Sequence, residues 1–290
     1  MLLAFLIAAA PNIAWHGGQV LVAPRYHNLY WGQFWADHPD HVAWLDAFTS
    51  AVAASRELAS QVEEYSLPGQ RLGPGSYELG VVVREGPAAL ITDRELEGFI
   101  HSQIQQGLVP PADDHNVYAV FLPPGVKISG EDQAVGYHTR SAYGFFEIMV
   151  HFDPYGSPSL DRTVAGIIYS HEMAETMTDP GLDAWYDAAT RDEIGDVCQQ
   201  HVGSVGPYAI QQEWSNAEGG CTAVRDVPLP PGAGGVCPDG TARQGSDCVA
   251  AAKTAAAATG CASAGAAPHA LAFALLFLRR RKRGGASRGA

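Results

Sequence analysis

His171, Glu172 and Glu175 fall within one short stretch, Ser170-His171-Glu172-Met173-Ala174-Glu175-Thr176, directly behind the apolar run Val164-Ala165-Gly166-Ile167-Ile168-Tyr169. A helix here would be half buried, and charged groups that enter a core need a partner. On a helix His171 and Glu175 stand four apart on one face, so both can point at a single divalent cation. Glu172 lies one position round, where a carboxylate can take a proton from water without ligating the ion. The helix has its own signals. Ser157, Ser159 or Asp161 can cap its start, Val164, Ile167, Ile168 and Met173 supply a buried stripe, and Asp179-Pro180-Gly181 ends it. The segment alone also fits a surface helix with solvated glutamates and His171 hydrogen-bonded at the core edge.

The chemistry is that of an HExxH helix, with two ligands four apart and a glutamate as general base, except that a glutamate replaces the second histidine. A harder, anionic oxygen still suits Zn2+, the expected cofactor, and should leave it a weaker Lewis acid than an all-imidazole site would. Beyond the helix, Trp185-Tyr186-Asp187 and Asp192-Glu193-Ile194-Gly195-Asp196-Val197-Cys198 bring more acidic groups. Either Glu193 or Asp196 can supply a third ligand if the chain turns back.

The strings HEMAETMTDPGLDAWYD, EIGDVC and QQEWSNAEGGC resemble the signature of the Exordium (phosphate-induced protein) family and its bacterial relatives. Weaker matches lie upstream at Trp15-His16-Gly17-Gly18, Leu29-Tyr30-Trp31-Gly32 and Gly136-Tyr137-His138, so the resemblance spans roughly residues 15–223. It implies a zincin-like fold and a metal site, with His171, Glu172, Glu175, Glu193 and Asp196 matching the family's charged positions. It also implies an extracellular or cell-wall protein, and it says less about catalysis.

The ends agree with export. Met1 to Ala10 is apolar and too short to span a bilayer, and Ala8-Ala9-Ala10 or Asn12-Ile13-Ala14 offers a small-residue cleavage site, which makes residues 1–14 an expected signal peptide. Near the other end, Cys261 precedes an apolar stretch from Ala262 to Leu278 and the cluster Arg279-Arg280-Arg281-Lys282-Arg283. This order resembles the myxobacterial C-terminal sorting tail, so residues 262–290 are expected to reach the membrane with the basic cluster on the cytoplasmic side. Of the five cysteines, Cys198 pairs by neighbourhood with Cys221 and Cys237 with Cys248, leaving Cys261 for the tail. Two bridges fit an oxidising compartment.

Residues 1–261 carry all 31 acidic groups and 12 of the 18 basic ones, a net charge of −19. A body this acidic repels phosphate backbones and argues against a nucleic-acid partner. Patterning predicts one or two strands in Val20–Trp35, ending near Trp31-Gly32, a helix from His38 to about Tyr65, a strand at Tyr77–Arg84, a helix capped by Thr92 with Glu95 as its capping-box partner, and buried strands at Asn116–Leu122 and Phe145–Phe152. The expected fold is therefore α/β (α+β), a mixed sheet packed by helices, zincin-like, with the HExxE motif on a central helix. Residues 15–226 form that domain. Residues 227–261, rich in Pro, Gly and Ala, form a stalk with a small disulfide loop.

The first functional expectation is a secreted or surface-anchored, monomeric, zinc-dependent hydrolase of the metallopeptidase type, acting on an extracellular peptide or cell-surface polymer. The second is a non-catalytic extracellular protein with a structural metal site that binds polysaccharide or a protein partner; Trp185 and Trp214 could stack on sugars if exposed, though such residues more often pack in the core or at its edge. A third, calcium binding through Asp179, Asp183, Asp187, Asp192 and Asp196, lacks EF-hand spacing.

Overall fold

The computed structural model describes residues 11–130, 134–152, 161–222, 241–244 and 247–250. The elements in chain order are β1 (Ile13–Trp15), β2 (Arg25–Trp31), α1 (Gln33–Asp37), α2 (Pro39–Ala53), α3 (Arg56–Val62), β3 (Ser76–Val83), β4 (Leu90–Ile91), α4 (Asp93–Gln105), β5 (Asn116–Leu122), β6 (Lys127–Ile128), β7 (Gly136–Arg140), β8 (Phe146–His151) and α5 (Asp161–Thr178). Short pairs follow: β9 (Trp185–Asp187), which joins β1; β10 (Val202–Val205) with β11 (Tyr208–Gln211); and β12 (Trp214–Ser215) with β13 (Gly220–Cys221). Residues 241–244 and 247–250 form a further hairpin.

The main sheet has the order β3-β2-β5-β8-β7, with the first four strands parallel and β7 antiparallel at the edge. Every residue of β5 and β8 is buried, as expected of parallel strands covered on both faces. Alternation divides the side chains. Tyr26, Tyr30, Val117, Ala119, Phe121, Phe146, Ile148 and Val150 enter the core shared with α2 and α5, whereas Leu29, Tyr118, Val120, Met149 and Tyr137 face α4. The fold is thus α/β in the sense expected, with the HExxE segment on a helix packed against β7, β8, α2 and β11.

One boundary differs from the sequence reading. The helix expected from His38 to Tyr65 breaks at Ser55, whose Oγ accepts the Leu58 N–H at 3.1 Å and starts α3 afresh; a serine that bonds local backbone competes with the helix ladder. The Val20–Trp35 region gives one strand, β2, and then α1. The capping box at Thr92 is formed, with Glu95 Oε2 receiving the Thr92 N–H at 2.7 Å.

Ile13, within the region expected as a leader, is buried in β1, and its carbonyl accepts from Asn216 Nδ2 at 2.6 Å. Cleavage after Ala10 would keep this strand, whereas cleavage after Ala14 would remove most of it. The apolar core of the leader, the caps Ser157 and Ser159, Cys237, the stalk apart from its hairpin at 241–244 and 247–250, and the sorting tail lie outside the described residues, as does the side chain of Asp161. No helix among the described residues is long and apolar enough to cross a membrane.

Candidate metal centre

Helix α5 is buried nearly all round from Val164 to Thr178, with Val164, Ala165, Ile168, Tyr169, Met173, Ala174 and Met177 in the core, so its polar residues are placed inside the protein rather than on a wet face. The four-residue spacing works as the sequence implies: His171 Nε2 lies 3.2 Å from Glu175 Oε2. Glu172, one position round, points to the sheet edge. There Gly136 makes room, because a Cβ on it would stand 2.8 Å from Glu172 Oε1. Two residues on, His138 shares the face of its cross-strand partner Ile148, which is the α5 face, and its Nδ1 lies 3.1 Å from Glu172 Oε2 and 3.6 Å from Glu175 Oε2.

The chain then turns back, as the acidic segment predicts. Asp179 accepts the N–H groups of Asp183 and Ala184 on Oδ1, each at 2.6 Å, and starts the reversal. After β9, the segment through Glu193 and Asp196 folds over α5, and Glu175 Oε1 accepts the N–H groups of Gly195 at 3.1 Å and Asp196 at 3.2 Å. Glu193 Oε1 comes within 3.5 Å of His138 Nε2. Gly195 carries no side chain for a reason: a Cβ there would collide with His171 Nδ1 and lie 2.8 Å from Glu213 Oε2. The Cys198–Cys221 disulfide, as paired from the sequence, closes the segment that carries Gln211 and Glu213 against the centre.

His171, Glu172, Glu175 and Glu193 are at most 3 % exposed and His138 is 4 % exposed. Two groups have their ligand atoms all within 4.8 Å of one another: His138 with Glu172 and Glu175, and His171 with Glu175 and Asp196. The five residues singled out from the motif are brought together in one cluster. Its further members are His138, noted in the sequence only within a short Gly-Tyr-His string, Gln211 and Glu213. The only sequence hint for Glu213 is its place directly before Trp214, which draws the chain inside if that indole packs in the core.

Ring orientation is fixed from behind. His138 Nε2 lies 3.1 Å from the Asp179 carbonyl oxygen, which can only accept, so this nitrogen carries the proton and Nδ1 is turned to Glu172 and Glu175. On the other ring, Gln211 Nε2 lies 2.8 Å from the Gly195 carbonyl and 2.7 Å from His171 Nδ1. His171 Nε2, on the opposite side of the ring, faces Glu175.

The electrostatics describe a site under strain from like charge. Burial is the largest influence on both histidines and pulls their pKa down, but the opposing attraction of Glu193 and Glu172 on His138, and of Glu175 and Glu172 on His171, outweighs it and holds both rings well above the ordinary histidine value. Burial, followed by the charge of Glu175, pushes Glu193 well up. Burial pushes Glu213 up as well, against the pull of His171. Neither oxygen of Glu213 has a hydrogen-bond partner although the residue is fully buried. Without a cation, protons must hold this cluster together, and a divalent ion fits where they sit.

One expectation is corrected. Trp214 is buried, with Nε1 bonded to Asn216 Oδ1, and Trp185 is half-buried against Tyr65, so these rings are core and core-edge packing rather than a sugar platform. The large exposed indole on this side is Trp15. Of the aspartates considered for calcium, two cap turns: Asp187 Oδ1 accepts from Ala189 and Thr190, and Asp179 Oδ1 from Asp183 and Ala184. No protein-family model matches this sequence, and no curated protein matches it.

Proposed function

We propose that this protein is a metal-dependent hydrolase of zincin-like design, exported and held at the cell surface, acting on an extracellular peptide or cell-surface polymer. One observation carries the reading: His171, Glu175 and Asp196 present ligand atoms to one point while Glu172, held by His138, stands beside them. The first three would hold the ion, with zinc the metal best suited to a mixed imidazole and carboxylate set. A bound zinc ion would polarise a scissile carbonyl and make water acidic enough to deprotonate near neutral pH. Glu172 would accept that water's proton, and its contact with His138 Nδ1 aims it. The Gly195 and Asp196 N–H groups fix Glu175, so a ligand oxygen does not have to be ordered on binding. The edge strand β7 lies beside α5, where an extended peptide can be held by backbone pairing. The resemblance to the Exordium family and to a C-terminal sorting tail supports an extracellular setting, and the Cys198–Cys221 bridge is compatible with it.

The near-complete burial of the cluster favours a second reading, a closed structural metal site in a non-catalytic surface protein, since structural sites are closed and catalytic ones keep an open position. One preparation separates the two. Purified protein is measured for metal per chain and for cleavage of a mixed peptide library, then compared with His171→Ala and Glu172→Gln. Metal lost in the first variant, with metal kept but cleavage lost in the second, supports the hydrolase. Stoichiometric metal with no cleavage by the wild type leaves the structural site, and no metal at all removes both.

A further inference from the structure

The cluster has two poles. At one, His138 faces Glu172 and Glu193; at the other, His171 faces Asp196 and, across Gly195, Glu213. Glu175 stands between them, with Oε2 3.6 Å from His138 Nδ1 and 3.2 Å from His171 Nε2. We propose that the centre binds two divalent cations, one at His138, Glu172 and Glu175 and the other at His171, Glu175 and Asp196, with Glu175 shared. This rests on the metal-binding half of the proposed function and adds a second position to it.

Charge supports two ions over one. Glu172, Glu175, Glu193, Asp196 and Glu213 are five carboxylates, four of them buried and Asp196 half-buried, around two imidazoles. With neutral rings and ionised carboxylates, one divalent ion leaves three negative charges in this enclosure, whereas two leave one. An uncompensated buried charge is strongly destabilising, and a second ion offsets charge that one ion leaves unpaired. Glu213 is an independent indication: a fully buried carboxylate with neither oxygen hydrogen-bonded, directed at the His171 pole, is placed for a cation or for a ring held by one. His138 is pre-set for its role because the Asp179 carbonyl keeps the Nε2 proton and leaves Nδ1 to the ligand side.

The test is a count of ions on full-length protein stripped with chelator and titrated with Mn2+, read by elemental analysis and by electron paramagnetic resonance. The expected result is two Mn2+ per chain with a spin-coupled spectrum, because one carboxylate joins the two positions. His138→Ala is expected to bind one ion with an uncoupled spectrum, and His138→Asn, which keeps a polar group on β7, serves if the alanine variant fails to fold. Wild-type saturation at one ion per chain, or two ions still bound by a folded His138 variant, would overturn the proposal while leaving the single-metal hydrolase standing. Saturation at zero overturns both.

Discussion

His138 Nδ1 lies 3.1 Å from Glu172 Oε2, although the two residues are 34 positions apart and belong to an edge strand and a helix. This contact makes β7 part of the chemistry. If Glu172 accepts the proton in hydrolysis, His138 fixes its aim, and losing such an orienting partner costs ten- to a hundredfold in activity or metal affinity. His138→Ala is therefore expected to lower kcat by about that factor with little change in KM. Steady-state cleavage of a peptide substrate checks this; an unchanged kcat would place His138 outside the reaction.

Glu172→Gln should keep the ion at His171 and lose roughly 10²- to 10⁴-fold in kcat, the usual contribution of general acid–base catalysis. The two-position cradle adds a concentration dependence. A second ion at His138 takes up Glu172, so activity is expected to rise through the first equivalent of metal and fall through the second. A plateau without decline up to several equivalents would mean that Glu172 stays free to accept the proton.

The main features of the fold could be read from pattern alone. β5 and β8 announce themselves as buried apolar runs, the Thr92 and Glu95 pair marks a helix start, and the spacing of His171 and Glu175 sets one side of the metal centre before any coordinate. What escaped has a common cause. His138 sits in Gly136–Arg140, a five-residue strand too short to show period-two alternation, and its partners Glu172 and Glu193 are distant in sequence. Gln211 and Glu213 reach the site through a hairpin and a disulfide, and such register is a tertiary outcome. Trp214 shows the opposite difficulty: an indole in a polar, glycine-rich stretch fits an exposed platform as well as core packing, and here it closes the core.

The pH dependence of the metal-free protein follows from the directions of the shifts. His138, His171, Glu193 and Glu213 all bind protons more tightly folded than unfolded, so each contributes stability that is fully present at low pH and is lost as pH rises through its folded value. The loss begins above the ordinary glutamate value of 4.5 and grows above the ordinary histidine value of 6.5. In chelator, Tm is expected to fall as pH rises through neutrality. With Zn2+ or Mn2+ in excess the slope should flatten or reverse, because cations displace those protons and bind better when they are gone. Parallel melting curves with chelator and with metal across pH 5–9 decide it, and superimposable curves would remove the metal from the account.

Gly195→Ala tests how closely the centre is packed. A methyl there meets His171 Nδ1 and Glu213 Oε2, so the acidic segment or the imidazole must shift. Overpacking of this kind costs about 1–3 kcal/mol. The displacement would also pull Asp196 and the backbone N–H donors away from Glu175, and metal affinity should drop more than stability does. Isothermal titration alongside a denaturant melt separates the two effects. Equal affinity in the variant would show that the segment tolerates movement.

The disulfide gives the last prediction. Cys198 and Cys221 close a loop spanning 23 positions that contains Gln211 and Glu213, and the chain-entropy model assigns roughly 3 kcal/mol to such a constraint. Cys198→Ser with Cys221→Ser is expected to lower stability by up to that amount. The greater consequence is local. Gln211 bonds both the Gly195 carbonyl and His171 Nδ1, so a loosened loop frees the ring from behind and releases the acidic segment in front. Metal affinity should therefore fall in the reduced protein even at temperatures where it stays folded. Chelator competition on oxidised and reduced protein at 25 °C measures this directly, and identical dissociation rates would confine the bridge to a purely structural role.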